Sequence, residues 1–113
     1  MTELTQSSCV PCRGGVPPLG DAEIAPLLRQ VPEWRVTEVL GVKHLEREFR
    51  FPDFKAAMDF ALRVGELAER EQHHPDLHVA WGKVRVEVWT HKISGLHAND
   101  FILAAKTDAL FAG

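Results

Sequence analysis

The sequence contains no long apolar run, no excess of basic residues and no second pair of cysteines. No apolar stretch approaches the ~18 to 20 residues that a membrane-spanning helix needs. The first fifteen residues lack the apolar segment of a secretory signal. The 113 residues carry 13 basic and 16 acidic side chains, which leaves a net charge of −3 and no broad basic surface for nucleic acid. We therefore expect a soluble, cytoplasmic protein that binds neither membranes nor nucleic acid directly.

Cys9 and Cys12 form a CxxC motif within an N-terminal stretch that is rich in glycine and proline. A structural zinc site usually needs four ligands, and a thioredoxin-like redox pair would open a helix after a strand. Neither context is present, so we expect residues 1–20 to be a flexible extension with two free thiols. Zinc completed by a histidine or by a second subunit, and a redox role, remain alternatives. Residues 21–113 are then one folded domain, a normal size for a single core.

The spacing of apolar residues predicts three helices, a short one before Pro32, a long one within 52–75 and a last one over about 97–111. Between them, alternating apolar and polar residues predict four strands, arranged as two hairpins with turns at Gly41 and Gly82. The order is α-β-β-α-β-β-α. It predicts an α+β fold of two layers, in which the helices pack on one face of a four-stranded antiparallel sheet and the charged face is exposed.

Several polar residues with acid/base chemistry lie at the ends of these predicted elements. His73 and His74 come where Pro75 stops the long helix, His91 ends a strand, and Asp100 lies in the first turn of the last helix. Side chains at element ends can converge on one cleft. Imidazoles exchange protons near neutral pH, so with nearby carboxylates they can form a general acid/base site.

Simpler interpretations of these residues remain open. Histidines with an aspartate can bind a metal, although His-His-Pro lacks the i, i+4 spacing of a helical zinc motif. Asp100 can stabilise the N-terminus of its helix through the backbone dipole, and Trp81 can be a core or interface aromatic. We expect His78 and His97 to be solvated.

The spacing of these residues resembles the pattern of the pterin-4a-carbinolamine dehydratase family. The pattern runs Glu69, three residues, His73-His74-Pro75, five residues, Trp81, nine residues, His91, eight residues and Asp100. Weaker features also fit: Trp34, the segment Phe49-Arg50-Phe51-Pro52-Asp53-Phe54, and Gly95-Leu96. The resemblance covers about residues 20–111, and a spaced pattern of this length is far more specific than a lone His-His pair.

The resemblance implies a hydro-lyase that converts 4a-hydroxytetrahydrobiopterin to the quinonoid dihydropterin and water, in the recycling of tetrahydrobiopterin. It implies no metal and no cofactor. His73 and His91 correspond to the acid/base histidines, and His74 corresponds to a catalytic histidine that also holds the pterin. Three residues are implied to bind or orient the substrate: Glu69, Trp81 and Asp100.

The resemblance also implies a homodimer or homotetramer, for which the run 83–91 is a candidate exposed strand edge. Animal members of the family also act as dimerisation cofactors of a homeodomain transcription factor. The alternative function is therefore a non-catalytic binding or assembly/coactivator module on the same fold. A third hypothesis is a metal-binding or redox protein that uses Cys9 and Cys12.

Overall fold

A computed structural model describes residues 4–10 and 16–113. The helices are Asp21–Leu28 (α1), Phe54–Glu71 (α2) and Ala98–Ala112 (α3), and the strands are Arg35–Val39 (β1), Val42–Arg50 (β2), Asp76–Ala80 (β3) and Lys83–Val88 (β4). Two short 3-10 helices occupy Leu4–Gln6 and His91–Ile93. The α-β-β-α-β-β-α order and the α+β class are as predicted. None of the described helices has the length and hydropathy of a membrane span.

The four strands form one antiparallel sheet in the order β1-β2-β4-β3. Each predicted hairpin is present, and the two hairpins join through β2 and β4, where Phe49 lies opposite Val84 and Leu45 opposite Val88. Strand β4 therefore lies inside the sheet, and its backbone pairs on both sides. The expectation that the run 83–91 is an exposed edge is wrong for β4, because β1 and β3 form the edges.

The core lies between the inner face of the sheet and the helices. Apolar side chains of β2 and β4 alternate inward and pack against α2 and α3, as the period of two in the strands predicts. The fully or almost fully buried side chains of this layer include Leu45, Phe49, Phe60, Val64, Val84, Val86, Val88, Phe101 and Leu103.

The outer face of the sheet is charged, as expected, but part of it is buried. Glu46 is only 6% exposed because Arg35 and Arg85 lie over it, at 2.6 Å and 3.3 Å from its carboxylate. Burial alone raises the pKa of Glu46, and the two guanidinium groups more than offset this and lower its pKa overall. Pairing with long neighbouring side chains therefore replaces solvent on this face.

The described part of the N-terminal stretch contacts the domain. Leu4 is buried, the backbone N–H of Leu19 donates to the Leu96 carbonyl at 2.9 Å, and the N–H of Cys9 donates to Glu71 at 2.9 Å. The sequence composition did not indicate these contacts, which place residues 4–10 against α2 and α3. The domain boundary at residue 20 stays a prediction, and Cys12 lies outside the described residues.

Glu71, the last residue of α2, connects three parts of the chain. Its carboxylate accepts the Cys9 N–H and lies 2.8 Å from Nζ of Lys106 on α3. Burial raises the pKa of Glu71, but the bonds from Cys9 and Lys106 outweigh that effect and lower its pKa below the ordinary value of 4.5. The ionised form of Glu71 therefore stabilises the folded state.

We expect Leu103→Ala to lower the free energy of unfolding by about 3–5 kcal/mol, because it leaves a cavity in a fully buried part of the core. The matched change Leu40→Ala, at a turn residue that is 99% exposed, should alter it by less than about 0.5 kcal/mol. Urea denaturation measures both values. Equal losses at the two positions would contradict this description of the core.

We expect Glu71→Gln to lower the free energy of unfolding at pH 7 by about 1–3 kcal/mol, because the charged hydrogen bonds are weakened. The pKa of Glu71 is lowered in the folded state, so this stabilisation is complete above pH 4.5 and is lost as pH falls through the folded pKa. Denaturation of the variant and the wild type between pH 3 and pH 7, with Glu66→Gln at an exposed position of α2 as the control, tests the pH dependence. A difference that persists unchanged at pH 3 would argue against an ionised Glu71.

Candidate active site

A cavity of about 610 Å³ lies where the end of α2, the start of β3 and the segment after β4 meet. His73, His74 and His91 all line it, although the outer two are 18 positions apart in the chain. Cys9, Val10 and other residues of these segments complete the lining. The structure therefore brings the three predicted histidines to one cavity.

The end of α2 directs His73 into this cavity. Gln72 adopts a left-handed conformation (φ 53°, ψ 40°) and its N–H bonds the Ala68 carbonyl, which terminates the helix. Nε2 of His73 lies 2.6 Å from Oδ1 of Asp100, and the His73 side chain is only 12% exposed. His73 is thus held in one orientation by a carboxylate from α3.

Asp100 is completely buried and makes three hydrogen bonds. Its Oδ2 accepts from the Thr90 hydroxyl and from the His97 backbone N–H, both at 2.9 Å. His97 caps α3, because its Nδ1 accepts the Asn99 N–H at 3.1 Å. His97 is half-buried, so it was expected to be solvated and is so only in part, and its capping contact was not predicted.

His91 is held by ring stacking. Its imidazole stacks on the Trp89 indole with ring centroids 4.4 Å apart, and the Trp89 ring stacks on His44 at 3.8 Å. Nδ1 of His44 lies 2.6 Å from Glu87, which orients the far end of the stack. The His91 ring nitrogens have no hydrogen-bond partner among the described residues, so both remain available to a ligand.

Trp89 was not among the predicted site residues. The alternation of the strand already placed it on the same face as His91, two residues away, which is the signal that could have identified it. Trp81, the aromatic that the family pattern indicated, lies in the β3–β4 turn and is 72% exposed. Strand β4, which is roughly 17–20 Å long, lies between Trp81 and His91. The structure does not bring Trp81 to the cavity.

His74 lines the cavity, and its partner Glu69 lies outside the cavity lining, on a second groove. Nε2 of His74 is 2.5 Å from the Glu69 carboxylate, and both side chains are more than half exposed. His74 also borders this second groove, of about 480 Å³, which is lined mostly by apolar residues of α2 such as Leu62 and by Leu77. Glu69 therefore orients His74 and does not contact His73 or His91.

The Cys9 thiol is unsuited to nucleophilic or metal chemistry in this conformation. Burial, followed by the nearby Glu71 carboxylate, raises its pKa to about 12. The thiolate, which is the nucleophile and the metal ligand, is therefore scarce at neutral pH. Sγ instead contacts the backbone carbonyl of Asn99 at 3.6 Å.

Among the described residues, one group of side chains is close enough to suggest a metal ion: Asp76, His78 and Glu87. Their ligand atoms lie within 4.8 Å of one another on the outer face of the sheet. Arg85 lies 3.4 Å from Glu87 and supplies positive charge there without a metal. His73, His74 and His91 are not part of this group.

The arrangement is suited to proton transfer. It offers two imidazoles in one cavity, one paired with a buried carboxylate and one held by stacking with both nitrogens open. Such a pair can deliver a proton to one atom of a ligand and remove a proton from another.

Comparisons with known proteins agree with the family pattern. The family model described as pterin 4 alpha carbinolamine dehydratase matches residues 17–110. A provisionally named pterin-4-alpha-carbinolamine dehydratase of Chlorobium luteolum is 55% identical over 111 residues, 98% of this chain and 97% of the relative. One from Rubrobacter xylanophilus is 53% identical over 97% of this chain and 100% of its own length.

Solved structures share the fold. A transcriptional coactivator/pterin dehydratase from Brucella melitensis superposes with a TM-score of 0.74 at 31% identity, covering 82% of this chain and 97% of that one. A pterin dehydratase-like protein identified as a RuBisCO assembly factor superposes with a TM-score of 0.59 over 69% of this chain and 88% of that one. Its 20% identity supports similarity of fold alone. On the family match and the close relatives, this chain belongs to the pterin 4 alpha carbinolamine dehydratase family.

Proposed function

We propose that this chain is a hydro-lyase that converts 4a-hydroxytetrahydrobiopterin to the quinonoid dihydropterin and water. The observation that carries the proposal is that His73 and His91 line one cavity in a chain of this family. A place in tetrahydrobiopterin recycling follows from the same family membership and is part of the proposal.

The reaction consists of two proton transfers and the loss of a hydroxyl group. The bond from C4a to the hydroxyl oxygen breaks, and that oxygen takes a proton from a general acid and leaves as water. A general base takes the N5 proton, and the N5–H electron pair becomes the second bond between C4a and N5. No electron is gained or lost overall. Two imidazoles, one protonated and one neutral, are sufficient for both steps.

The contacts of His73 favour its role as the base. Asp100, as a carboxylate, can only accept hydrogen bonds, so Nε2 of His73 must carry the hydrogen that it donates to Oδ1. Nδ1 of the neutral ring then holds the lone pair. When Nδ1 takes up the substrate proton, the buried carboxylate stabilises the resulting imidazolium, as the aspartate does in other acid/base triads.

His91 is then the general acid in this proposal. Its ring is fixed by Trp89 and keeps both nitrogens open, so a protonated His91 can donate to the leaving hydroxyl. His74, oriented by Glu69, is proposed to hold the pterin at the rim. We leave Trp81 out of the proposed site, because it lies at the far end of β4.

The proposed homodimer or homotetramer is supported by α2. Three large apolar side chains on this helix are exposed, at 46–67% of their maximum: Phe54, Met58 and Leu62. An exposed apolar stripe of this kind is typical of a subunit interface.

A non-catalytic assembly or coactivator module is the second candidate. The observation in its favour is the fold shared with a protein identified as an assembly factor, and the 31%-identical neighbour is itself described as a coactivator/pterin dehydratase. The retention of His73, His91 and Asp100 in one site favours the enzyme. A folded wild-type protein without dehydration activity would favour the module.

We expect His73→Ala and His91→Ala each to lower kcat by ~10²- to 10⁴-fold, because each removes one partner of a proton transfer. A coupled assay of 4a-hydroxytetrahydropterin dehydration measures this. His78→Ala is the matched control, since His78 lies on the outer face of the sheet with its side chain 49% exposed. The control should stay within about twofold of the wild type. Normal turnover in both test variants would refute the assignment.

We expect exhaustive chelation and dialysis to change kcat by less than about twofold, because proton transfer by imidazoles requires no metal. The same coupled assay, run before and after chelation and after adding back zinc, tests this. Loss of activity that zinc restores would instead assign a catalytic role to a metal.

A further inference from the structure

The described N-terminal segment, residues 4–10, is a strap that ends at the cavity. Leu4 is buried against α3, and the strap then runs to Cys9 and Val10, which line the same cavity as His73 and His91. The proposed chemistry assigns no role to these residues, and the CxxC motif to which Cys9 belongs is also unexplained.

Two side chains of the domain hold the backbone of the strap. Oδ1 of Asn99 accepts the Val10 N–H at 3.0 Å, and Nδ2 of Asn99 donates to the Val10 carbonyl at 2.6 Å. Glu71 accepts the Cys9 N–H at 2.9 Å. With the strap docked, Asn99 is only 2% exposed, and both polar atoms of its side-chain amide are paired with the Val10 backbone. Release of the strap breaks both of these hydrogen bonds, so the pairing favours the docked strap.

We propose that the strap forms one wall of the pterin cavity and that Asn99 is the residue that positions this wall. The proposal rests on the proposed function, because it assumes that the cavity takes a pterin. A small ligand binds well when the walls of its site bury most of its surface. Release of the strap removes the surface of Cys9 and Val10 from the ligand and leaves His73 and His91 in place.

Cys9 provides a reporter of the strap that does not depend on enzyme activity. In the docked strap its thiol is half-buried, and burial and Glu71 raise its pKa to about 12 from the ordinary 9.0. Release returns the thiol to water, and the fraction of thiolate at a given pH rises by up to about a thousandfold. Alkylation of Cys9 therefore reports how often the strap is released.

The experiment uses the full chain with Cys12→Ser, which leaves Cys9 as the single thiol. In this background Val10→Pro removes the N–H that Asn99 binds, and Val10→Ala keeps it and is the matched control. Asn99→Ala removes the side-chain amide that binds the Val10 backbone, and so releases the strap by a change in the domain. Alkylation by iodoacetamide is followed by mass spectrometry with and without excess 7,8-dihydrobiopterin, a stable reduced pterin, and pterin affinity is measured by calorimetry.

We expect Val10→Pro and Asn99→Ala to speed alkylation of Cys9 by at least about tenfold, and Val10→Ala to leave it slow. We expect the two releasing variants to raise the Kd for the pterin by about three- to tenfold, because they remove one wall of the site. The pterin should slow alkylation of Cys9 in the Cys12→Ser parent. Thermal unfolding separates these effects from loss of the fold.

Two results would overturn the proposal while leaving the proposed function intact. Unchanged alkylation in both releasing variants would show that Asn99 and Val10 do not hold the strap. Faster alkylation with unchanged pterin affinity and no protection by the pterin would show that the strap is not a wall of the site. If the Cys12→Ser parent binds no pterin at all, the proposed function fails together with this inference. The alkylation rates then still show whether Asn99 and Val10 hold the strap, which separates this case from the other two.

Discussion

The buried carboxylate of Asp100 is the interaction on which the arrangement of the site depends. It is fully removed from solvent and accepts hydrogen bonds from His73, Thr90 and His97. A buried charge is tolerated only when such partners replace the lost water. Because these partners must surround Asp100, its burial holds the end of α2, the segment after β4 and the first turn of α3 close to one another. His73 is thus oriented by the same contacts that allow Asp100 to be buried.

The pairing of β2 with β4 places the second half of the site. Because the two hairpins join through these strands, β4 is held on both sides and its end is fixed relative to the helices. Trp89 and His91 follow directly, and His44 on the neighbouring strand completes the stack. One imidazole is therefore positioned by a carboxylate and the other by an aromatic ring.

The predictions of strands and helices from sequence succeeded where apolar residues recur with a single clear period, two in a strand or about 3.6 in a helix. The strands alternate as expected at β4, and the long helix lies within the predicted range and begins at Phe54, directly after Asp53, whose side chain accepts the Ala56 N–H at 2.8 Å. The predictions failed where a contact decides the outcome. The run 83–91 was expected at an edge but contributes an inner strand, because β4 pairs with β2 as well as with β3. The sequence pattern does not reveal which strands are neighbours.

The site shows the same division. The position of His73, His91 and Asp100 at element ends indicated that they belong to one constellation, and the structure brings them together. The family resemblance also indicated Trp81, which lies away from the cavity, and the sequence reasoning missed Trp89. The contact of Asn99 with Val10 spans 89 residues and joins a stretch whose composition indicated no structure. The type and order of the elements follow from local sequence, because each depends on which nearby residues turn toward the core. Which strands are neighbours, and which distant segments line the cavity, follow only from the folded chain, because they depend on pairing between groups that are far apart in sequence.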